Sequence, residues 1–202
     1  MTVVLEGARV RLEPLAIEHA AALWDAARDR SSFDWAVVPA SLEHMRAWVE
    51  QAVAARGELP FAIVDKERGA AVGSTRFFDV QRWKWPLGVP DPREGEDVWD
   101  AVEIGYTWLG RSAQRTGVNT EAKLLLLTHA FEARGARRVQ LKTDARNVRS
   151  RTAIAHLPAT FEGVLRSAAP ASDGSIRDSA YFSIVAREWP DVKRSLLARL
   201  SR

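Results

Sequence analysis

Apolar and polar positions recur with two different periods along this chain, and each change of period marks an element. Ala8 to Glu13 alternates as a strand, and Ile17 to Arg28 then places Ala20, Leu23, Trp24 and Ala27 on one side of a helix. Ser41 is the cap of a second helix running to about Arg56, where Gly57 supplies a stop. Leu59–Asp65 and Ala71–Phe78 read as strands joined by the turn KERG, an antiparallel hairpin. Val102–Leu109 alternates again, and a helix from about Val118 to Arg134 follows. Leu124, Leu125, Leu126, Leu127, Ala130 and Phe131 give that helix an apolar surface wide enough to be laid against a sheet and covered on more than one side. Gly135 ends it and Arg137–Thr143 is the next strand, a strand–helix–strand unit whose geometry is a parallel pair with a right-handed crossover. A short helix over Ser150–Leu157 stops at Pro158. Strands Thr160–Arg166 and Ile176–Ala186 flank the turn ASDG, and a helix over Glu188–Leu200 closes the order.

Asp79 to Asp100 breaks both periods. Pro86, Pro90 and Pro92 argue against a helix or a central strand, so a long loop is expected, carrying Trp83, Trp85 and Trp99. Such a loop is either a binding segment, which makes Trp83 and Trp85 candidate substrate contacts, or is packed down by its own tryptophans.

Composition narrows the chemistry. The 202 residues, 47% hydrophobic, suit one domain spanning 1–202. With no cysteine, disulfides, thiolate metal sites and a cysteine nucleophile are excluded. No apolar run approaches a membrane span and the first residues lack a leader pattern, so neither a membrane nor a secreted location is expected and the cytoplasm is. A formal charge of +3, with arginines spread along the chain, gives no support to nucleic-acid binding and suits an anionic small ligand. The four histidines are isolated, and no metal is predicted.

The segment Gln114–Ala122, QRTGVNTEA, joins a strand to a helix through a loop with one glycine. A loop opening into a helix offers unpaired N–H groups and the positive end of the helix dipole to an anion. It fits neither a Walker loop nor a dinucleotide fingerprint, since Gly117 stands alone. Arg111 and Arg115 flank it, Asn119 or Thr120 can cap the helix, and Glu121 can support the first turn. Arg146, Arg149 and Arg151 form a second basic group after the Val139–Thr143 stretch. An ordinary capped loop is the competing reading.

The strand RLEPL, the strand VEIGYTWL, the loop QRTGVNTEA, the strand VQLKT, then ARNVRS and the strand start TFEG occur in an order that resembles the GCN5-related N-acetyltransferases (GNAT), in particular the branch similar to bacterial ribosomal-protein N-terminal acetyltransferases. The resemblance implies an α/β (α+β) fold: a mixed, mostly antiparallel sheet with a central, splayed parallel strand pair flanked by helices. It implies acetyl-CoA as donor, its pyrophosphate held by Gln114, Arg115, Thr116, Gly117, Val118, Asn119 and Thr120. The pantetheine arm would run along Thr107, Trp108 and Leu109, with Asn147 and Ser150 contacting it. By the same resemblance Glu103 is the general base, Ser150 the general acid toward the sulfur, and Asp178 and Tyr181 face the acceptor. The acceptor would be a primary amine, on a protein N-terminus or a small molecule, and a homodimer is compatible. A basic lining at Arg76 or Arg82 would admit succinyl-CoA instead. Two residues depart from the family pattern: Asn119 where a small residue is usual, and Pro158 where a turn commonly has glycine. A CoA-binding regulatory protein and an interaction module built on the same scaffold are the alternatives to an enzyme.

Overall fold

A computed structural model describes residues 3–201. Eight strands form one sheet in the order β1-β2-β3-β4-β5-β6-β8-β7. They are β1 (Leu5–Glu6), β2 (Val10–Pro14), β3 (Leu59–Asp65), β4 (Ala70–Gln81), β5 (Ala101–Leu109), β6 (Arg138–Asp144), β7 (Thr160–Pro170) and β8 (Ile176–Val185). All neighbours are antiparallel except β5 and β6, the expected parallel pair. Their pairing covers only Ala101–Glu103 against Arg138–Gln140. Beyond Glu103 the two strands continue to Leu109 and Asp144 without pairing to each other, so the middle of the sheet opens into a V.

Helices cover both faces. Alternate residues of β3 serve two cores: Phe61 and Ile63 join Phe77, Ile104, Leu126 and Leu196, while Ala62 and Val64 join Leu23, Met45, Val49 and Trp108. The strand therefore reads as a continuous apolar run. The first core lies under α3 (Val118–Thr128) and α5 (Trp189–Leu200), with Ile154 of α4 (Val148–Ala155); the second lies under α1 (Ala20–Ala26) and α2 (Leu42–Ala54). Local signals start these helices. Ser41 Oγ accepts the His44 amide at 3.1 Å, as its position before α2 predicts. Pro190 lies in the first turn of α5, where the missing N–H costs nothing.

Several boundaries differ from the sequence reading. The strand expected over Ala8–Glu13 begins two residues later as β2 and is the second arm of a hairpin with β1, because Gly7 N–H closes a turn onto Val10 O. The helix expected from Ile17 opens as a 3-10 turn, Ile17–His19, and becomes α-helical at Ala20. Strand β4 continues to Gln81, taking the first residues of the predicted loop into the sheet. Trp99 is not a surface residue of that loop: it is 5% exposed and meets the Phe77 ring edge-on at 5.1 Å. The helix of Val118 to Arg134 widens into a π turn over His129–Ala133.

Candidate active site

The loop after β5 is built to leave a helix end open. Gly117, at φ 87°, is the N-cap of α3, and no side chain caps the helix. Asn119 and Thr120 lie inside the first turn, not before it, so neither makes the expected cap. The early amides of α3 stay turned toward the loop mouth, where the dipole favours an anion. The loop's side chains fold the loop itself: Gln114 Nε2 donates to Leu109 O at 2.9 Å and Thr116 Oγ1 to Ala113 O at 2.7 Å. Arg111 and Arg115 are exposed beside it. Val118 is buried in the core and contributes its backbone to the loop end.

Glu121 does something different from supporting its own helix turn. Its carboxylate accepts the amides of Ala8 at 2.9 Å, Arg9 at 2.8 Å and Val10 at 2.6 Å, tying the β1–β2 turn to α3. Arg9 Nη1 in turn donates to Thr116 O at 3.2 Å, so this turn braces the loop. A Cβ at position 7 would lie 2.7 Å from Glu121 Cδ, so any larger residue there must push this carboxylate away from the three amides.

At the root of the V sits Glu103, 2% exposed. Its Oε2 accepts Gln140 Nε2 and Lys142 Nζ, each at 2.9 Å. Burial pushes its carboxyl above the usual range, against the pull of Lys142 and Gln140, and the Asp79 carboxylate adds to the rise. The alternative of a solvated strand glutamate is thereby removed. A cleft of about 250 Å³ opens beside it, lined by Asp79, Gln81, Trp83, Glu103, Arg138 and Gln140. Lys142 lies over the rings of Phe78 and Tyr181 at 5.4 and 5.8 Å, so Tyr181 joins the Glu103 group through this lysine.

Other predicted residues are placed less directly. Trp108 turns its side chain into the α2 core, 5.8 Å from the Phe33 ring and 6.4 Å from Trp48, and Leu109 is buried in the opposite core. Only their main chains can face a ligand in the V. Thr107 Oγ1 pairs with Thr75 Oγ1 at 2.8 Å on the α3 side. Asn147 Oδ1 accepts the Ser150 amide at 2.9 Å and caps α4, which leaves the Ser150 hydroxyl at the helix start. Asp178 is engaged elsewhere, accepting the Ser167 amide at 2.8 Å. Trp83 and Trp85 are 44% and 37% exposed; Trp83 reaches the Glu103 cleft and Trp85 lies by Arg137.

The basic lining invoked for succinyl-CoA is absent at both positions. Arg76 is buried, paired with Glu58 at 2.6 Å and held between the rings of Trp48 and Tyr106. Arg82 is paired with Asp91 and Asp100. Both guanidiniums are already engaged by carboxylates of this chain. Pro158 lies at φ 27°, in the left-handed region that suits glycine and opposes the pyrrolidine ring. The departure from the family pattern is therefore a strained turn beside α4. Among the described residues, no group of three or more His, Cys, Asp or Glu could hold a metal ion, and no helix is long and apolar enough to cross a membrane.

Residues 9–159, a span from β2 through α4 that contains the V and the loop, match the family model of the acetyltransferase (GNAT) domain. The chain belongs to the GNAT acetyltransferases. As a GNAT chain it aligns with solved structures over nearly its full length. A GCN5-related N-acetyltransferase from Brucella melitensis is 29% identical, with a TM-score of 0.83, covering 97% of this chain and 84% of the other. A protein from T. thermophilus assigned as an acetyltransferase is 35% identical, with a TM-score of 0.79 and coverage of 98% and 96%. Mycobacterium smegmatis RimJ, solved with CoA-disulfide, shares the fold at 22% identity, with a TM-score of 0.73 over 98% and 93%. Among curated proteins, YdaF of Bacillus subtilis, named for ribosomal N-acetyltransferase activity, is 32% identical over 92 residues. That match spans 46% of this GNAT chain and about half, 49%, of YdaF.

Sequence patterns had passed over Lys142, Gln140 and Lys123 as site residues. The first two alternate along β6 on the Glu103 face once the parallel register is known. The third interrupts an apolar run, EAKLLLL, and is buried.

Proposed function

We propose that this chain, as one acyltransferase domain, transfers the acetyl group of acetyl-CoA to the α-amine of a polypeptide, by direct attack within a ternary complex. The observation that carries the reading is the combination of an uncapped α3 with a strand pair that parts at a buried glutamate. The donor supplies an activated acyl group. The α3 amides, with Gly117 at φ 87° and Arg115 beside it, suit a pyrophosphate, and the unpaired edge of β5 beyond Glu103 suits an amide-rich arm, which can bond it as an added strand would.

Glu103 takes the proton from the attacking amine. Burial raises the carboxyl and so makes it a stronger base toward the amine proton, while the hydrogen bonds from Lys142 and Gln140 oppose that rise by favouring the ionised form. The Ser150 hydroxyl, held at the start of α4 by the Asn147 cap, donates toward the departing sulfur. Tyr181 and Trp83 border the acceptor side, and Trp85 extends that surface. A polypeptide acceptor is supported by the likeness to YdaF, and the paired state of Arg76 and Arg82 favours acetyl over succinyl donors.

The test is thiol release from acetyl-CoA with a panel of peptides bearing free or blocked N-termini. Release that needs the free N-terminus supports the reading; release only with small amines moves the acceptor class; and acetyl-CoA binding with no release for any amine points to a CoA-binding regulatory protein.

A further inference from the structure

On the α3 face of β5 lies a polar group that the reaction above does not use. Lys123 is 5% exposed, and its Nζ donates to Thr107 Oγ1 at 2.5 Å and to Thr75 Oγ1 at 3.4 Å. No carboxylate pairs with it among the described residues. Glu121, on the same helix, is committed to the Ala8–Val10 amides, while Glu103 and Arg76 are engaged with Gln140, Lys142 and Glu58. Burial alone lowers its amine to about 7. A buried lysine without a counter-ion is costly, and its retention needs a reason.

The two threonines mark where that reason lies. In the ladder between β4 and β5, Ser74 faces Trp108 but Arg76 faces Gly105, so Thr75 stands opposite two residues, Tyr106 and Thr107. This is a β-bulge, which re-aims backbone groups out of the ladder. Tyr106 sits in it at φ 51°, a left-handed value that costs a non-glycine residue on the order of 1–3 kcal/mol and persists only where the surroundings over-determine it. On one side Arg76 lies over the Tyr106 ring at 4.1 Å and Phe78 meets it at 5.2 Å. On the other side the polar fastening is Thr75–Thr107–Lys123. The bulge lies on β5 past Glu103, where the strand has lost β6.

We propose that Lys123 is a positioning residue for acyl transfer, holding the β5 bulge in its strained form through Thr107 and Thr75. The proposal rests on the N-acetyltransferase reading for its effect on rate, but not for its effect on the bulge. Lys123→Met keeps the volume and removes the amine; Thr107→Val removes the hydroxyl and Thr107→Ser keeps it.

Turnover, acetyl-CoA affinity, melting temperature and amide exchange over residues 101–109 are measured for each variant. In Lys123→Met and Thr107→Val, kcat falls about tenfold or more, as a small misplacement of reacting groups does. The KM for the amine changes little, the affinity for acetyl-CoA falls by less than kcat, exchange over 101–109 quickens, and the melting temperature holds or rises. Thr107→Ser, which keeps the hydroxyl, loses less kcat than Thr107→Val, and the double variant Lys123→Met/Thr107→Val is no worse than Lys123→Met. Wild-type kcat with unchanged exchange in Lys123→Met overturns the proposal; so does a loss of melting temperature with faster exchange throughout the chain, which would make Lys123 a general folding residue. If the wild type itself turns over no amine, the enzymatic reading fails, and the exchange data still decide whether Lys123 holds the bulge.

Discussion

Replacing Glu121 by alanine tests how the Gln114–Gly117 loop, proposed above as the pyrophosphate site, is held. The substitution removes three acceptors at 2.6 to 2.9 Å from the amides of Ala8, Arg9 and Val10. Ala8 and Arg9 are exposed, so water refills their bonds, and each costs the modest difference between a charged and a solvent partner. Val10 is fully buried, and its amide is left without a partner. Taking about 1 kcal/mol for the two exposed bonds together and about 2 for the buried one gives a loss of roughly 3 kcal/mol. For a chain of this size that corresponds to a fall of about 6–12 °C in melting temperature. Because Arg9 also holds Thr116 O, acetyl-CoA should bind more weakly as well. Differential scanning calorimetry with and without acetyl-CoA reads both effects. Gly7→Ala provides an internal check: its new Cβ meets Glu121 Cδ at 2.7 Å, so it should destabilise the wild type but do little in the Glu121→Ala background. A melting temperature within ~1 °C of wild type for Glu121→Ala, well short of the shift expected for 3 kcal/mol, would refute the reasoning.

Three further outcomes follow from the same geometry. Glu103→Gln should lower kcat/KM by about 10²–10³-fold, the range of a lost general base; in the wild type, activity should fall on the acid side with a midpoint above 4.5, as the raised pKa requires, and a variant with an unchanged pH profile would exclude Glu103 as the base. Gly117→Val forces a branched side chain to φ 87°, which costs at least about 1–2 kcal/mol, and should abolish most of the stabilisation by acetyl-CoA; an undiminished thermal shift would count against the loop as the phosphate site. The unfolded chain keeps the Lys123 proton up to the ordinary lysine range, whereas the buried amine loses it near 7, so the wild type should gain stability relative to Lys123→Met as pH rises from about 7 toward 10.5, by up to about 5 kcal/mol in denaturant titrations; a flat difference would show that the amine titrates normally.

Local sequence alone carried much of this protein. Period-2 runs bounded by turns placed seven of the main strands within a few residues, and the crossover rule predicted β5 and β6 as a parallel pair from a leucine-rich helix between two alternating segments. Gly117 after a strand marked the turn into α3, because only glycine enters that backbone region freely. These are short-range properties, decided by neighbours in the chain.

What tertiary structure decided is where charges end up. Glu121 reads as a helix-start residue, yet its partners lie more than a hundred positions away in the β1–β2 turn. Arg76 and Arg82 read as free cations in a binding lining and are paired instead, one beneath two aromatic rings. Lys123 reads as an ordinary helix lysine and is buried against two threonines of neighbouring strands. A side chain's hydrophobicity sets the period that pattern reading detects, but its ionic partner is fixed only when the sheet register brings distant elements together, and here that register sets both the partners of Glu103 and the bulge beside it.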